Sequence, residues 1–127
     1  MKERGVMRLR NIPTAREELS ASSYVIPEDR QSALRGHWAE QFGNDHSIHL
    51  EIGMGKGRFL MELAQKNPQI NYVGIERYSS VLVHTVRRLK ALEESGTPVR
   101  NLLLLRMDAE YLTDVFAPGE IARLYLT

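Results

Sequence analysis

The chain has 127 residues, with 17 Lys and Arg against 16 Asp and Glu, 43% hydrophobic residues and no cysteine. That length suits one domain with a real core, and the composition excludes a disordered chain. The missing cysteines exclude disulfides, Cys-ligated zinc, thiol nucleophiles and iron–sulfur clusters, and fit a reducing, cytoplasmic setting. A formal charge of +1 means that any basic patch must be local. The apolar runs are too short for a membrane span, and Met1-Lys2-Glu3-Arg4 lacks the apolar stretch of a signal peptide.

In chain order, the first sixteen residues carry Lys2, Arg4, Arg8, Arg10 and Arg16 against the single acid Glu3. With no periodicity and with Pro13 interrupting, they predict an arm of little regular structure, set at residues 1–30. The domain proper is expected over 31–127. Leu34, Trp38 and Phe42 recur every four residues, which predicts a helix from Gln31 to Phe42 that ends at Gly43 and packs Trp38 and Phe42 into the core. Ser47–Ile52 reads as a strand running into Gly53-Met54-Gly55-Lys56-Gly57, and Arg58–Lys66 as a helix closed by Asn67-Pro68. Ile70–Glu76 is a second strand. Ser79 or Ser80 caps a helix through Glu94, on which Arg87, Arg88 and Lys90 read as a solvated face. Leu102–Met107 is a third strand, Asp108 caps a short helix holding Leu112, Val115 and Phe116, and a fourth strand starts at Ile121. Strands alternating with helices predict an α/β fold with a parallel sheet and flanking helices.

The informative segment is Glu51-Ile52-Gly53-Met54-Gly55-Lys56-Gly57. A strand that ends in closely spaced glycines and opens a helix lets backbone approach a ligand. A phosphate-cradling P-loop needs glycine five residues before Gly55 and Ser or Thr after Lys56, but Leu50 and Gly57 stand there. The dinucleotide fingerprint needs glycine where Arg58 stands, which disfavours a NAD-binding oxidoreductase. The remaining reading is the E-x-G-x-G-x-G loop associated with S-adenosylmethionine. Glu51 then favours the cationic methionine end. Glu76, 19 residues after Gly57, accepts from both ribose hydroxyls, and Asp108 with Ala109 meets the adenine amino group. Arg77 either borders this site or pairs with Glu76 or Asp108. Taken singly, each acid has a structural reading as well: Glu51 as a partner of Lys56 or Arg58, Glu76 as a strand-end charge, Asp108 as a helix cap.

With these motifs in order, the sequence resembles the bacterial tRNA (guanine-N7)-methyltransferases. The resemblance is carried by Met7-Arg8-Leu9-Arg10-Asn11, Leu50 to Gly57, Tyr72-Val73-Gly74-Ile75-Glu76, Asp108-Ala109 and Leu124-Tyr125-Leu126. It implies a Rossmann-like methyltransferase fold, S-adenosylmethionine as cofactor, Glu51, Gly53, Gly55, Gly57, Glu76, Arg77, Asp108 and Ala109 around it, and methyl transfer to guanine N7 in the variable region of tRNA. The family carries its catalytic aspartate in an Asp-Pro-Trp-Pro stretch just after the fourth strand. Thr127 precedes that position, so the resemblance implies a cofactor-binding half with little or no turnover alone. The arginines of the arm either follow tRNA phosphates or solubilise the terminus. The other readings are a methyltransferase with a different acceptor and a module that binds nucleotide or RNA without catalysis. His37, His46, His49 and His84 form no metal-ligand pattern, so no metal is expected.

Overall fold

The structure is a computed structural model that describes residues 11–126. Lys2, Arg4, Arg8 and Arg10 of the basic arm, Met7 to Arg10 of the resemblance, and Thr127 lie outside the described residues. Four short strands, β1 (Ile48–Ile52), β2 (Asn71–Ile75), β3 (Leu102–Leu105) and β4 (Arg123–Leu126), form one parallel sheet in the order β3-β2-β1-β4. The chain moves outward from β1 through β2 to β3 and then returns to the other side of β1, where Ile52 is in register with both Ile75 and Leu126. That reversal creates the kind of crevice in which open α/β sheets bind ligands, at the carboxyl ends of the strands.

Alternation along the strands sends side chains to two cores. Leu102 and Leu104 join Tyr72 on one face, beneath helices α1 (Ala15–Ala21), α3 (Arg58–Lys66) and α4 (Ser79–Glu94). Leu105 joins Leu50, Val73 and Ile75 on the other, beneath α2 (Trp38–Phe42) and α5 (Leu112–Val115). Burial of this apolar area is the main favourable contribution to folding, about 25 cal/mol per Å². The α/β class, the parallel sheet and the flanking helices are as the sequence predicts.

Three local readings are corrected. The expected helix from Gln31 to Phe42 is broken: 3₁₀ turns occupy Glu28–Arg30 and Ser32–Leu34, and α2 begins only at Trp38. Gly36 takes a left-handed φ of 82°, which ends the helical path. The Glu120 carboxylate accepts from the amides of Gly36 at 2.9 Å, Trp38 at 3.2 Å and Ala117 at 2.9 Å, and so satisfies the backbone at the break. Leu34, Trp38 and Phe42 nevertheless face one core, as their spacing demands. Trp38 is fully buried, stacks on Phe116 at 4.8 Å, and donates its indole N–H to the Val115 carbonyl at 2.9 Å.

The second correction concerns the segment 1–30. Residues 15–21 form α1, whose Ala15 and Leu19 are buried with the α4 residues Val86 and Leu89. A bidentate Arg87–Glu18 pair, at 2.7 and 2.8 Å, ties the two helices. Residues 24–26 then line the outer edge of β3: the Leu104 amide donates to the Tyr24 carbonyl at 2.8 Å and the Ile26 amide to the Leu104 carbonyl at 3.0 Å. A seven-residue helix is marginal alone, so its formation depends on packing that local periodicity does not reveal. Third, neither Ser79 nor Ser80 caps α4. The position before the helix is Tyr78, and the Ser80 hydroxyl instead accepts from the Ile12 amide at 3.0 Å.

Truncating Trp38 to Ala should destabilise the chain by about 3–5 kcal/mol, more than Phe42→Ala, because Phe42 is only half-buried; chemical denaturation of both variants measures the difference. Stability should also decline on mild acidification. Burial holds His49 and His84 below the usual 6.5, reinforced by Arg123 for the first and by Lys56, Arg87 and Arg88 for the second. The unfolded chain binds these protons first, so the contribution is complete above pH 6.5 and shrinks as pH falls below it. A further loss follows at lower pH. Hydrogen bonding to Arg87 draws the Glu18 carboxyl from 4.5 to about 2, so its contribution disappears across that interval. Melting temperature measured against pH should show both declines, and His84→Gln should flatten the first.

Candidate functional site

Because the strands are parallel, Glu51, Glu76 and Asp108 all fall at the same edge of the sheet, at or just beyond the ends of β1, β2 and β3. Glu51 is buried, at 1% exposure, in register with Gly74 on one side and Tyr125 on the other. After Ile52 the chain turns sharply. Gly53, Gly55 and Gly57 all take positive φ, of 73°, 59° and 78°, a region that costs side-chain-bearing residues dearly.

Two of these glycines serve different needs. At Gly57 a Cβ would lie 2.2 Å from the Thr85 hydroxyl, so the missing side chain lets α4 approach the loop. At Gly55 a Cβ would meet nothing within 4 Å; there the loop faces open space and leaves its backbone accessible. The loop is fastened to β2 by the amides of Gly53 and Met54, both 3.0 Å from the Ile75 carbonyl oxygen.

Glu76 is the centre of the arrangement. It is 8% exposed, and one carboxylate oxygen accepts from the Gly55 amide at 3.1 Å while the other accepts from the Tyr78 amide at 3.1 Å. One side chain thus joins the glycine loop to the turn that starts α4. Each carboxylate oxygen has two lone-pair directions, so each can accept one further donor.

Asp108 and Arg77 are brought together, with Arg77 Nη1 3.6 Å from Asp108 Oδ2. Asp108 Oδ1 accepts from the Glu110 amide at 2.9 Å and caps the 3₁₀ turn Ala109–Tyr111 that leads into α5. The cap reading of Asp108 therefore holds in the structure. The same carboxylate is about half exposed at the mouth of the crevice, with Ala109 half-buried beside it. Arg77 extends over the Tyr78 ring, with its guanidinium carbon 4.9 Å from the ring centroid.

Several participants had no distinctive signal in the sequence. The Tyr78 amide acts through backbone. On α4 Arg87 and Lys90 are exposed, as the solvated-face reading expects, but two of its cations also make contacts that reading does not contain: Arg87 pairs with Glu18, and the half-buried Arg88 donates to the Lys56 carbonyl inside the glycine loop at 2.7 Å. A polar Thr85 on the apolar side of α4, among Leu82, Val86 and Leu89, was the one legible hint of a contact there. Next to the crevice, between α1 and the start of α4, an open cavity of about 460 Å³ is lined by Asn11, Arg16, Arg77, Tyr78, Ser79, Ser80 and Arg106. Among the described residues no cluster of His, Asp or Glu could hold a metal, and no helix is long and apolar enough to cross a membrane.

Comparison with known proteins agrees with this fold. Two solved structures superpose with a TM-score of 0.56: an antibiotic-related methyltransferase, 20% identical, over 72% of this chain and 44% of its own, and the antibiotic-resistance methyltransferase Kmr, 19% identical, over 68% and 44%. At that identity the likeness establishes the fold. In sequence, the chain is 50% identical over 120 residues to the tRNA (guanine-N(7)-)-methyltransferase of Lachnoclostridium phytofermentans, covering 94% of this chain and 53% of that protein. It is 53% identical over 121 residues to that of a Geobacillus species, with 94% and 52% covered, and 43% identical over 120 residues to that of Bacillus subtilis, with 94% and 54% covered. The chain spans about half the length of the curated relatives it matches. With residues 45–127 matching a family model described as "Putative methyltransferase", the chain belongs to that methyltransferase family.

Proposed function

We propose that this chain is the cofactor-binding part of an S-adenosylmethionine-dependent methyltransferase whose acceptor is N7 of a guanine in the variable region of tRNA. The observation that carries the cofactor reading is Glu76: a buried carboxylate, oriented by two amides, with an acceptor direction left on each oxygen for a ribose diol. The residues present fit the group. The open side of Gly55 admits a ligand against the backbone, and Gly53 and Gly57 shape that loop. The buried Glu51 contributes negative charge toward the ammonium and sulfonium. Arg77, Asp108 and Ala109 border the adenine end. The acceptor reading rests on the relatives named above.

S-adenosylmethionine supplies, when bound, an electrophilic methyl group on a sulfonium centre. Guanine N7 has a lone pair and carries no proton, so the reaction asks no strong base of these residues. Their work is to orient the donor and exclude water, which converts an encounter into a positioned pair. The cation-lined cavity beside the crevice supports a polyanionic acceptor, since Arg16, Arg77 and Arg106 meet there. tRNA as partner and a chain without cysteine both fit the cytoplasm.

Calorimetry of the chain with S-adenosylhomocysteine and with NAD tests the cofactor reading. Binding of the first alone is expected; binding of NAD without S-adenosylhomocysteine would replace this reading with an oxidoreductase. Glu76→Ala should weaken S-adenosylhomocysteine by about 1–3 kcal/mol, roughly 5- to 150-fold, through loss of charge-assisted bonds. For the acceptor, tRNA affinity should fall as salt rises, and Arg16→Gln should shrink the slope of log K against log[salt] by about 0.9. An unchanged slope in fluorescence-anisotropy titrations would remove Arg16 from the RNA surface.

A further inference from the structure

Among the described residues the glycine loop is tethered at three places named here, two of them from the strand that neighbours it. The Ile75 carbonyl and the Glu76 carboxylate secure residues 53–55 from β2. The third secures Lys56 from α4: its carbonyl oxygen accepts from the Thr85 hydroxyl at 2.9 Å and from Arg88 Nη1 at 2.7 Å. Thr85 is fully buried on an otherwise apolar face. A hydroxyl in that position is costly unless it is hydrogen-bonded, and Lys56 supplies the acceptor. The contact also explains the glycine beside it, because only a residue without Cβ lets Gly57 pass so close to Thr85.

Lys56 stands between Gly55, whose free side faces the crevice, and Gly57, which precedes the first turn of α3. Its carbonyl is therefore the hinge between the ligand-facing part of the loop and the helix that follows. We propose that Thr85 and Arg88 are positioning residues for the cofactor loop: by holding the Lys56 carbonyl from α4, they fix how Gly55 is presented to the ligand. This rests on the reading of the crevice as an S-adenosylmethionine site. Neither residue belongs to the loop motif. They act through Lys56. Because two donors share one acceptor, loss of either leaves the carbonyl partnered, whereas loss of both removes the hold from α4. The two substitutions should thus be more than additive.

The test uses Thr85→Val, Arg88→Met and the double variant, with Thr85→Ser and Arg88→Lys as conservative controls. Three quantities are measured on each: S-adenosylhomocysteine affinity by calorimetry, the rate of tryptic cleavage at the Lys56–Gly57 bond, and melting temperature. Each single variant should bind at most about 3-fold more weakly, because the other donor remains, and the double variant about 30-fold or more, well beyond the roughly 9-fold of simple additivity. Cleavage after Lys56 should accelerate in the same order, while cleavage at other Lys and Arg sites stays near the parental rate. The conservative controls should recover most of both losses. Parental affinity in a folded double variant would overturn the proposal. So would acceleration spread evenly over all tryptic sites, which would mark general destabilisation. If the parent chain itself binds no S-adenosylhomocysteine, the cofactor reading fails; the clamp is then judged by cleavage at Lys56–Gly57 alone, and an unchanged rate there overturns it.

Discussion

The carboxylate of Glu76 joins the glycine loop to the turn that starts α4, at the end of the helix away from the Thr85 and Arg88 contacts. Its oxygens accept from Gly55 on one side and from Tyr78 on the other, each at 3.1 Å. A charge at 8% exposure must be compensated, and charge-assisted bonds to backbone amides provide that, at about 1.5–3 kcal/mol each. A carboxylate is required here rather than an amide. Glutamine has one acceptor end and one donor end, so it would leave one N–H facing its own NH₂. An anion that can accept on both sides thus helps set the separation between the glycine loop and the start of α4, together with the hold of Thr85 and Arg88 on Lys56.

The sheet makes this arrangement possible by parallelism. Ile52, Ile75 and Leu105 end at matching levels, so whatever follows each strand emerges at one edge. The glycine loop then has to satisfy two opposing demands. On its inner side it must be thin: Gly57 admits Thr85, and Gly74 on β2 admits Met54, whose sulfur would lie 2.3 Å from a Cβ. On its outer side, at Gly55, it must leave room. A Cβ at Gly57 or Gly74 would collide with these neighbours, and at Gly55 and Gly57 the left-handed backbone would be strained as well.

Much of this was legible in the sequence because the signals are local. Strand runs such as Leu102 to Leu105, the glycine spacing at 53–57 and the strand-end acids are written in contiguous residues, and the helix–strand order follows from them. What was not legible involves partners far apart in the chain. The break at Gly36 is supported by Glu120, and α1 is completed by Arg87 and the apolar side of α4. The start of α4 was assigned to a serine cap by local preference, yet Ser80 is occupied by Ile12 and the nearby Tyr78 amide by Glu76. In each case a local propensity of about 1 kcal/mol yields to a tertiary hydrogen bond of similar or greater worth. The candidate acids divide along the same line. Glu76 proves to be a bridging group, while Asp108 has its local capping role alongside its place at the crevice mouth.

Helix α4 gathers these threads. It begins immediately after the bridging carboxylate, holds the loop at Lys56 through Thr85 and Arg88, and receives α1 through Arg87. Adjacent residues on a helix point about 100° apart, which lets Arg87 and Arg88 reach opposite neighbours: one toward α1, the other toward the glycine loop. In the structure these cations are used for geometry. Among the described residues, the arginines that line the open cavity beside the crevice are Arg16, Arg77 and Arg106. Two of those are themselves steadied by acids, Arg77 by Asp108 and Arg106 by Glu28. Arg77 and Arg106 are thereby held at the cavity wall by partners on neighbouring elements.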